Sequence, residues 1–435
     1  MFQGTHGQRV WPLLMVALMA VHTARAQGPV VDLPSAASAA AEGFSPARLQ
    51  RLDDFLGGAT GPEGYLGAVA LVVRNGKVVT VQAHGHRDLA RSQPMTEDAI
   101  FRIYSMTKPI TSVAVLQLME QGRLGLDDPL GRYLPAFARM QRFAGGTADK
   151  PVLVPVQRPI TLRQLLTHTA GFATGGEGFE EATRLLERAD LHGSPDLATF
   201  AARLAKVPLA TEPGTRFKYD GTGIEVLARV VEVVSGEPFD AYVRRHVLEP
   251  LRMGDTGFSV PQASRGRVVD LTRMGRDGRL VRDDSRSARH PGEALNAYPS
   301  GAGGLYSTVS DYARFCQMLL DGGVLDGQRI LGRKTVELMM MNHLEGQLDP
   351  PVTEFSNAEG FGLGGSVLLD VAARGRLGSV GAFGWSGAAS TYFTVDRHER
   401  LFAILLMQHL PDGQPHDLPR PATPFYNLVY QALEP

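Results

Sequence analysis

The sequence has one cysteine, Cys316, in 435 residues, and it has no excess of either charge. A single cysteine excludes a disulfide framework, a cysteine-based zinc site and an iron–sulfur cluster. Lysine and arginine together number 44, and aspartate and glutamate number 45, with no basic or acidic block. Proteins that bind nucleic acids depend on clustered positive charge, so the composition argues against that class. The hydrophobic content of 43% is typical of a soluble globular chain with a large core.

The apolar run at the N-terminus, residues 10–21, spans 12 residues, whereas roughly 20 are needed to cross a bilayer. Arg9 precedes this run, and Ala24 and Ala26 supply the small residues of a cleavage site. The pattern predicts a secretory signal peptide at residues 1–26, a flexible leader at 27–42, and a periplasmic or secreted protein. An uncleaved membrane anchor is the alternative. A lipid anchor is excluded because no cysteine follows the run.

The order of the predicted elements suggests one sheet built from both ends of the chain. Two β-rich segments flank Asn75-Gly76, which is typical of a hairpin, and strands return at 362–369, 391–395 and 401–407. Helical patterns and loops dominate between residues 101 and 300. We therefore expect an α/β (α+β) chain with an antiparallel sheet flanked by helices, formed by residues 43–100 and 301–435. Residues 101–300 would form a mainly helical lobe, with the active site in the cleft between the lobes.

Residues 101–109, FRIYSMTKP, form the stretch that carries the most chemical information. Pro109 is tolerated only in the first turn of a helix, so the helix begins close to Ser105. Residues three apart share a helix face, which lets Lys108 meet the Ser105 hydroxyl and take its proton. The chain has only six lysines against 38 arginines, and Lys108 alone has a serine three residues before it. The alternative is a helix-capping serine beside a solvated lysine.

Two further stretches can complete such a site. Residues 212–221, EPGTRFKYDG, place Tyr219 in a loop before a helix, where its phenolate could exchange protons with the serine and a leaving group. In residues 384–393, GWSGAASTYF, small residues let backbone N–H groups approach a substrate oxyanion. Simple packing is the alternative for both stretches. His168 and Asp220 are interpreted as structural residues.

Taken together, the three stretches resemble the penicillin-recognising serine hydrolases with the β-lactamase/transpeptidase-like fold, which include class C β-lactamases, D-alanyl-D-alanine peptidases and family VIII carboxylesterases. Residues 160–171 (ITLRQLLTHTAG), 249–253 (EPLRM) and 303–308 (GGLYST) are also similar to that family. The resemblance implies Ser105 as the nucleophile, Lys108 as its base partner and Tyr219 as the second base and proton shuttle. It further implies an oxyanion hole formed by the backbone N–H groups of Ser105 and Ala388.

Two departures from the family pattern favour ester substrates. β-Lactamases typically carry an asparagine where this chain has Gly221, and that asparagine contacts the substrate amide. They also carry a lysine where this chain has Trp385, so a cation that attracts the substrate carboxylate is replaced by an indole. The residues Trp385, Ser386 and Gly387, which we expect to contact substrate, resemble the family VIII esterases in this respect.

The sequence therefore predicts an exported serine hydrolase that forms an acyl-enzyme on Ser105 and acts on short- to medium-chain carboxylic esters. No cofactor, metal, nucleic acid or stable membrane anchor is expected. Alternatives are a β-lactamase, a D-peptide hydrolase or an acyltransferase of the same fold. A non-catalytic binder of cell-wall peptides is a further alternative, although the Ser105, Lys108 and Tyr219 set argues against it.

Overall fold

The structure is a computed structural model that describes residues 1–4, 31–173, 175, 178–344 and 357–435. The apolar run and the cleavage site of the predicted signal peptide fall outside these residues, so export stays a prediction. Within the described ranges, no helix combines the length and the apolar character needed to cross a bilayer.

Strands occur near both ends of the chain and as short pairs between them. In chain order they are β1 (Gly67–Arg74), β2 (Lys77–Gly85), β3 (Phe101–Arg102), β4 (Gln141–Thr147), β5 (Lys150–Pro155), β6 (Thr272–Met274), β7 (Leu280–Arg282), β8 (Tyr306–Ser307), β9 (Val324–Leu325), β10 (Gln328–Arg329), β11 (Glu359–Phe361), β12 (Ser366–Leu368), β13 (Phe383–Gly387), β14 (Thr391–Asp396) and β15 (Leu401–Leu406).

The main sheet has seven strands in the order β11-β12-β13-β14-β15-β1-β2, and every neighbouring pair is antiparallel. The first hairpin turns at Asn75 and Gly76, with φ values of 53° and 75°. Positive φ at both turn positions matches the twist of the flanking strands, which is why Asn-Gly predicts a hairpin. The sheet therefore pairs β1, from the start of the described chain, with β15 near its end.

The helices pack on both faces of this sheet, and most of them come from the part of the chain between β2 and β11. They are α1 (Pro46–Ala59), α2 (Thr107–Glu120), α3 (Leu162–Leu166), α4 (Glu180–Arg188), α5 (Leu197–Leu204), α6 (Thr222–Ser235), α7 (Phe239–Val243), α8 (Arg286–Arg289), α9 (Val309–Leu320), α10 (Arg333–Met339), α11 (Val371–Arg374) and α12 (Ala422–Tyr430). A π-helical turn, Arg244–Leu248, continues α7.

Two apolar cores separate the sheet from its helices. On one face, Leu52 of α1 and Phe425 of α12 pack against Ala70 of β1. On the other face, Leu71 of β1 packs into a larger core that contains α2, α6 and α9. Helix α2 is buried on nearly all sides, from Thr107 to Leu118. A helix enclosed in this way is fixed by packing all round, which suits it to carry a reactive group at its start.

The structure confirms the expected α/β class with an antiparallel sheet, and it differs from the sequence prediction in two elements. The expected strand at 362–369 is instead the hairpin β11–β12, whose two strands are joined at Gly362–Gly365. Strands β4 and β5 form a hairpin within residues 101–300, which we predicted to be mainly helices and loops. Most of its residues are exposed, so the hydrophobic alternation that announces a strand is missing there.

Candidate active site

Ser105 lies in a single turn of 3-10 helix, Tyr104–Met106, that joins β3 to α2. Tyr104 adopts a φ of 41°, which is an uncommon conformation for a residue with a side chain. The turn is held by neighbours, since the hydroxyl of Tyr312 donates a hydrogen bond to the Met106 carbonyl at 2.9 Å. Strained backbone of this kind persists where the surrounding structure fixes it, and such positions cluster at functional sites.

Lys108 stands one turn further along, and its ammonium nitrogen is within proton-transfer distance of the serine. Nζ lies 2.9 Å from Ser105 Oγ and 2.9 Å from the carbonyl oxygen of Ala302. Only 2% of the lysine is exposed. A solvated surface lysine, which was the alternative interpretation of this motif, does not describe this residue. The two contacts aim Nζ at the hydroxyl, which is the geometry that a general base requires.

Tyr219 reaches the same lysine from the loop before α6. The centre of its ring lies 4.9 Å from Lys108 Nζ, and the Trp385 indole N–H donates to its hydroxyl at 3.2 Å. The imidazole of His168 packs against the ring with centroids 4.7 Å apart, and the His168 carbonyl accepts the N–H of Lys218 at 2.9 Å. The indole, the imidazole and the backbone contact together fix where the phenol points.

His168 and Asp220 have the structural roles that we predicted for them. His168 is buried, with a φ of 55°, and its ring contacts the loop that carries Tyr219. The Asp220 carboxylate accepts the N–H of Gly223 at 2.7 Å, which caps the first turn of α6. Both residues therefore position Tyr219.

Strand β13 runs alongside the turn that carries Ser105. A side chain at Gly387 would place its Cβ 2.3 Å from the carbonyl oxygen of Ile103, so only glycine permits this approach. Ala388 follows directly and lines the same cavity as Ser105. The structure thus brings together the two residues whose backbone N–H groups we predicted as the oxyanion hole, with Trp385 and Ser386 beside them in the cavity wall.

Glu225 is a residue of this site that the sequence analysis missed. It lies on the buried face of α6, where its carboxylate accepts hydrogen bonds from the Ser300 hydroxyl and from the Gly301 N–H, the latter at 2.8 Å. Burial raises the pKa of this carboxyl to about 7, against the opposing effects of Ser300 and Lys108. Ala302, the residue after Gly301, supplies the carbonyl oxygen that accepts a hydrogen bond from Lys108 Nζ. The sequence did offer one signal for this residue, because Glu225 is a charged residue among the apolar positions of a predicted helix.

One cavity of about 580 Å³ is lined by Ser105, Tyr219, Trp385 and Ala388. The aromatic rings beside it are continuous, because Trp385 lies 5.1 Å from Tyr219 and 5.1 Å from Phe361 between ring centres. An apolar wall therefore stands next to the candidate nucleophile. The volume is within the range of pockets that take small organic substrates.

Comparison with known proteins identifies the family. The family described as Beta-lactamase matches residues 52–423. The chain belongs to the beta-lactamase family. This confirms the resemblance that the sequence motifs indicated, and with it the fold class of a β-lactamase-like serine hydrolase.

Relatives within the beta-lactamase family cover most of the chain. Protein Rv1367c of Mycobacterium tuberculosis is 36% identical over 359 residues, 80% of this chain and 86% of that protein. Esterase EstB of Burkholderia gladioli is 31% identical over 383 residues, 83% of this chain and 91% of that protein. The solved structure of EstCE1, described as a hydrolase with promiscuous acyltransferase activity, is 26% identical with a TM-score of 0.70, covering 88% of this chain and 98% of that one.

Proposed function

We propose that this member of the beta-lactamase family is a carboxylesterase that forms an acyl-enzyme on Ser105. The observation that carries the proposal is the pair of contacts to one buried amine: Lys108 Nζ lies 2.9 Å from Ser105 Oγ and 4.9 Å from the ring centre of Tyr219. A serine hydroxyl is a weak nucleophile until an adjacent group takes its proton, and the contact from Lys108, with Tyr219 beside the amine, supports that step.

Acylation would begin when Lys108 takes the hydroxyl proton as Ser105 Oγ attacks the ester carbonyl. The carbonyl oxygen becomes an oxyanion, which the backbone N–H groups of Ser105 and Ala388 bind. Tyr219 then gives its proton to the alcohol oxygen as the bond from carbon to that oxygen breaks. The proton on Lys108 passes to the phenolate, which restores both groups.

Deacylation would repeat these steps with water in place of the alcohol. Water gives a proton to the restored base pair as it attacks the acyl carbon, and Ser105 recovers a proton as the carboxylic acid leaves. Trp385 and the aromatic residues around it favour an apolar acyl or alcohol group beside the serine, since an indole binds apolar surface and offers no positive charge. The similarity to esterase EstB supports an ester as the substrate.

The test is hydrolysis of 4-nitrophenyl butyrate beside a chromogenic cephalosporin, with the wild type, Ser105→Ala and the surface control Ser92→Ala. We expect ester turnover in the wild type and in the control, a loss of more than about 1000-fold in Ser105→Ala, and little cephalosporin opening. Efficient cephalosporin opening would favour the β-lactamase alternative. No turnover of either substrate by the wild type would favour a non-catalytic binder.

Acyl transfer to an alcohol is a second candidate, favoured by the similarity to EstCE1, which is described as having promiscuous acyltransferase activity. The same acyl-enzyme would be intercepted by an alcohol instead of water. Adding a primary alcohol to the butyrate assay and measuring butyrate ester against free acid decides between the two. Ester formation well above the share expected from the alcohol concentration would support transfer, and acid alone would support hydrolysis.

A further inference from the structure

The cavity that contains Ser105 extends past β13 to a wall with three arginines. Its charged lining residues, among those that the structure describes, are Arg374, Arg376, Arg420 and a single carboxylate, Glu359. They come from three segments: the end of α11, the loop before α12, and β11. We call these three arginines and Glu359 the arginine wall. Its net charge at neutral pH is +2.

Two of the arginines share one carboxylate oxygen. Glu359 Oε1 lies 3.2 Å from Arg374 Nε and 3.7 Å from Arg376 Nη2. The Arg376 guanidinium is also held over the ring of Tyr426, 4.4 Å from its centre. The Nε atoms of both arginines are buried within the protein. One carboxylate thus serves two cations, and the wall keeps an excess of positive charge.

Arg420 supplies the third charge. It is exposed, and its side chain takes part in no ion pair or side-chain hydrogen bond with the described part of the chain. Arg420 lines the cavity together with Tyr392 and Ser386, which pair across β13 and β14.

The geometry points to an anion-binding subsite: resting on the esterase function proposed above, we propose that the arginine wall binds a carboxylate of the substrate, and that the preferred esters carry one in addition to the ester bond. A cleft whose lining carries mainly positive charge attracts ligands of negative charge. Guanidinium groups match carboxylates with paired hydrogen bonds, and Glu359 already shows that a carboxylate oxygen fits between Arg374 and Arg376.

This inference separates the two ends of the cavity. Trp385 gives an apolar, uncharged surface beside Ser105, and the arginine wall gives positive charge elsewhere in the same cavity. A substrate that satisfies both has an apolar spacer between its ester and its carboxylate. Such a molecule also differs from a simple fatty ester, which carries no charge to balance the excess positive charge of the wall.

Two matched pairs of esters test the proposal. The first pair is mono-4-nitrophenyl suberate and 4-nitrophenyl octanoate, which have acyl chains of equal length and differ in a terminal carboxylate. The second pair is 4-butanoyloxybenzoate and its methyl ester, which place the charge on the alcohol side. We expect kcat/KM to be about tenfold to a hundredfold higher for the anionic ester in at least one pair. Added NaCl should raise the KM of that ester.

The variants Arg420→Gln and Arg376→Gln remove charges from the wall, and Arg139→Gln is the control, because Arg139 is also exposed but does not line the cavity. We expect Arg420→Gln to lower kcat/KM about fivefold or more for the anionic ester relative to the neutral one. The control should keep the wild-type ratio. Thermal melting checks that each variant is folded, and Arg420→Gln carries the test if Arg376→Gln is unstable.

Equal or better turnover of the neutral ester in both pairs would overturn the proposal while leaving the esterase function intact. A preference that survives in both arginine variants would also overturn it. If the wild type hydrolyses none of the four esters, the proposed function fails and the inference fails with it.

Discussion

Lys108 is a lysine in a chain that uses arginine at almost every other basic position. Arginine would supply the same charge to the Ala302 carbonyl and the Tyr219 ring, but it cannot be deprotonated in a protein. The choice of lysine at the one position that contacts Ser105 is therefore evidence of proton transfer beyond the contact itself.

We accordingly expect Lys108→Arg to lower kcat for 4-nitrophenyl butyrate by about 100-fold to 10,000-fold, because the base is lost while the charge is kept. Lys108→Met, which avoids the bulk of arginine, should lose as much. Lys206→Arg, at an exposed position, should be unchanged. Activity within a few-fold of wild type in a folded Lys108 variant would remove Lys108 from the mechanism.

Glu225 gives the site a pH dependence of stability. Its pKa is about 7 in the folded protein because of burial, against an ordinary value of 4.5, so between these values the folded state holds a proton that the unfolded state has released. Stability from this group is therefore highest below pH 4.5, falls as the pH rises to about 7, and is constant above, a loss of about 3 kcal/mol.

Urea unfolding of the wild type and Glu225→Gln from pH 5 to 8.5 measures this effect. The free energy of unfolding of the wild type should fall relative to the variant as pH rises. Burial also raises the pKa of Asp311, to about 6. Asp311 is present in both proteins, so its contribution cancels when the two free energies are subtracted. A difference that is constant with pH would mean that Glu225 has an ordinary pKa.

The motif residues could be predicted because each lies in a short stretch whose neighbouring residues limit its conformation. Ser105 and Lys108 are three residues apart, and Pro109 fixes the helix start. Glu225 could not be assigned in the same way, because its partner Ser300 lies 75 residues away and only the fold brings them together.

Among the elements, β13 shows how closely the strand must approach the serine. There is no room for a Cβ at Gly387, because that atom would lie 2.3 Å from both the Ile103 carbonyl oxygen and the Thr391 hydroxyl oxygen. The small residues of the stretch 384–393 therefore meet a packing requirement as well as supplying the proposed oxyanion donor, the Ala388 N–H.

Gly387→Ala should push β13 away from the turn that carries Ser105 and lower kcat about 100-fold or more, because a displacement of about 1 Å is costly in catalysis. The control is Gly266→Ala, where a Cβ meets open space. Both variants are assayed with 4-nitrophenyl butyrate and checked by thermal melting. Wild-type activity in Gly387→Ala would show that the strand position is not critical.

The elements that the sequence predicted have strong local signals. The Asn75-Gly76 turn fixes the first hairpin and Pro109 fixes the start of α2, each within a few residues. Hairpin β4–β5 has no such signal, because its exposed residues do not alternate, and β11 and β12 are too short for periodicity to register.

For the whole molecule, the resemblance predicted a fold that no single segment determines. The candidate active site takes Ser105 from the turn before α2, Tyr219 from the loop before α6 and Trp385 from β13, and only the complete sheet and helices place them together. Composition and charge could exclude classes of protein, but the arginine wall depends on a cavity that the sequence does not reveal.

Export is the prediction that concerns the molecule as a whole. If residues 1–26 are a signal peptide, the mature protein isolated from a Gram-negative host begins at Gln27, and N-terminal sequencing measures this directly. A variant with Leu13 and Leu14 both changed to arginine should remain in the cytoplasm with its N-terminus uncleaved. Recovery of the uncleaved wild type from the cytoplasm would contradict export.

The pairing of β1 with β15 also sets a limit on how the chain can fold while it is being made. Val69 lies beside Leu406, so roughly 340 residues must be added after the first strand before its partner exists. At about 5–20 residues per second, the ribosome takes roughly 20 seconds to a minute to supply it. During that interval β1 has only β2 beside it, and its other edge is open to chaperones or to the wrong strand. Until β15 has been made, the unpaired edge of β1 is therefore exposed to pairing with the wrong strand.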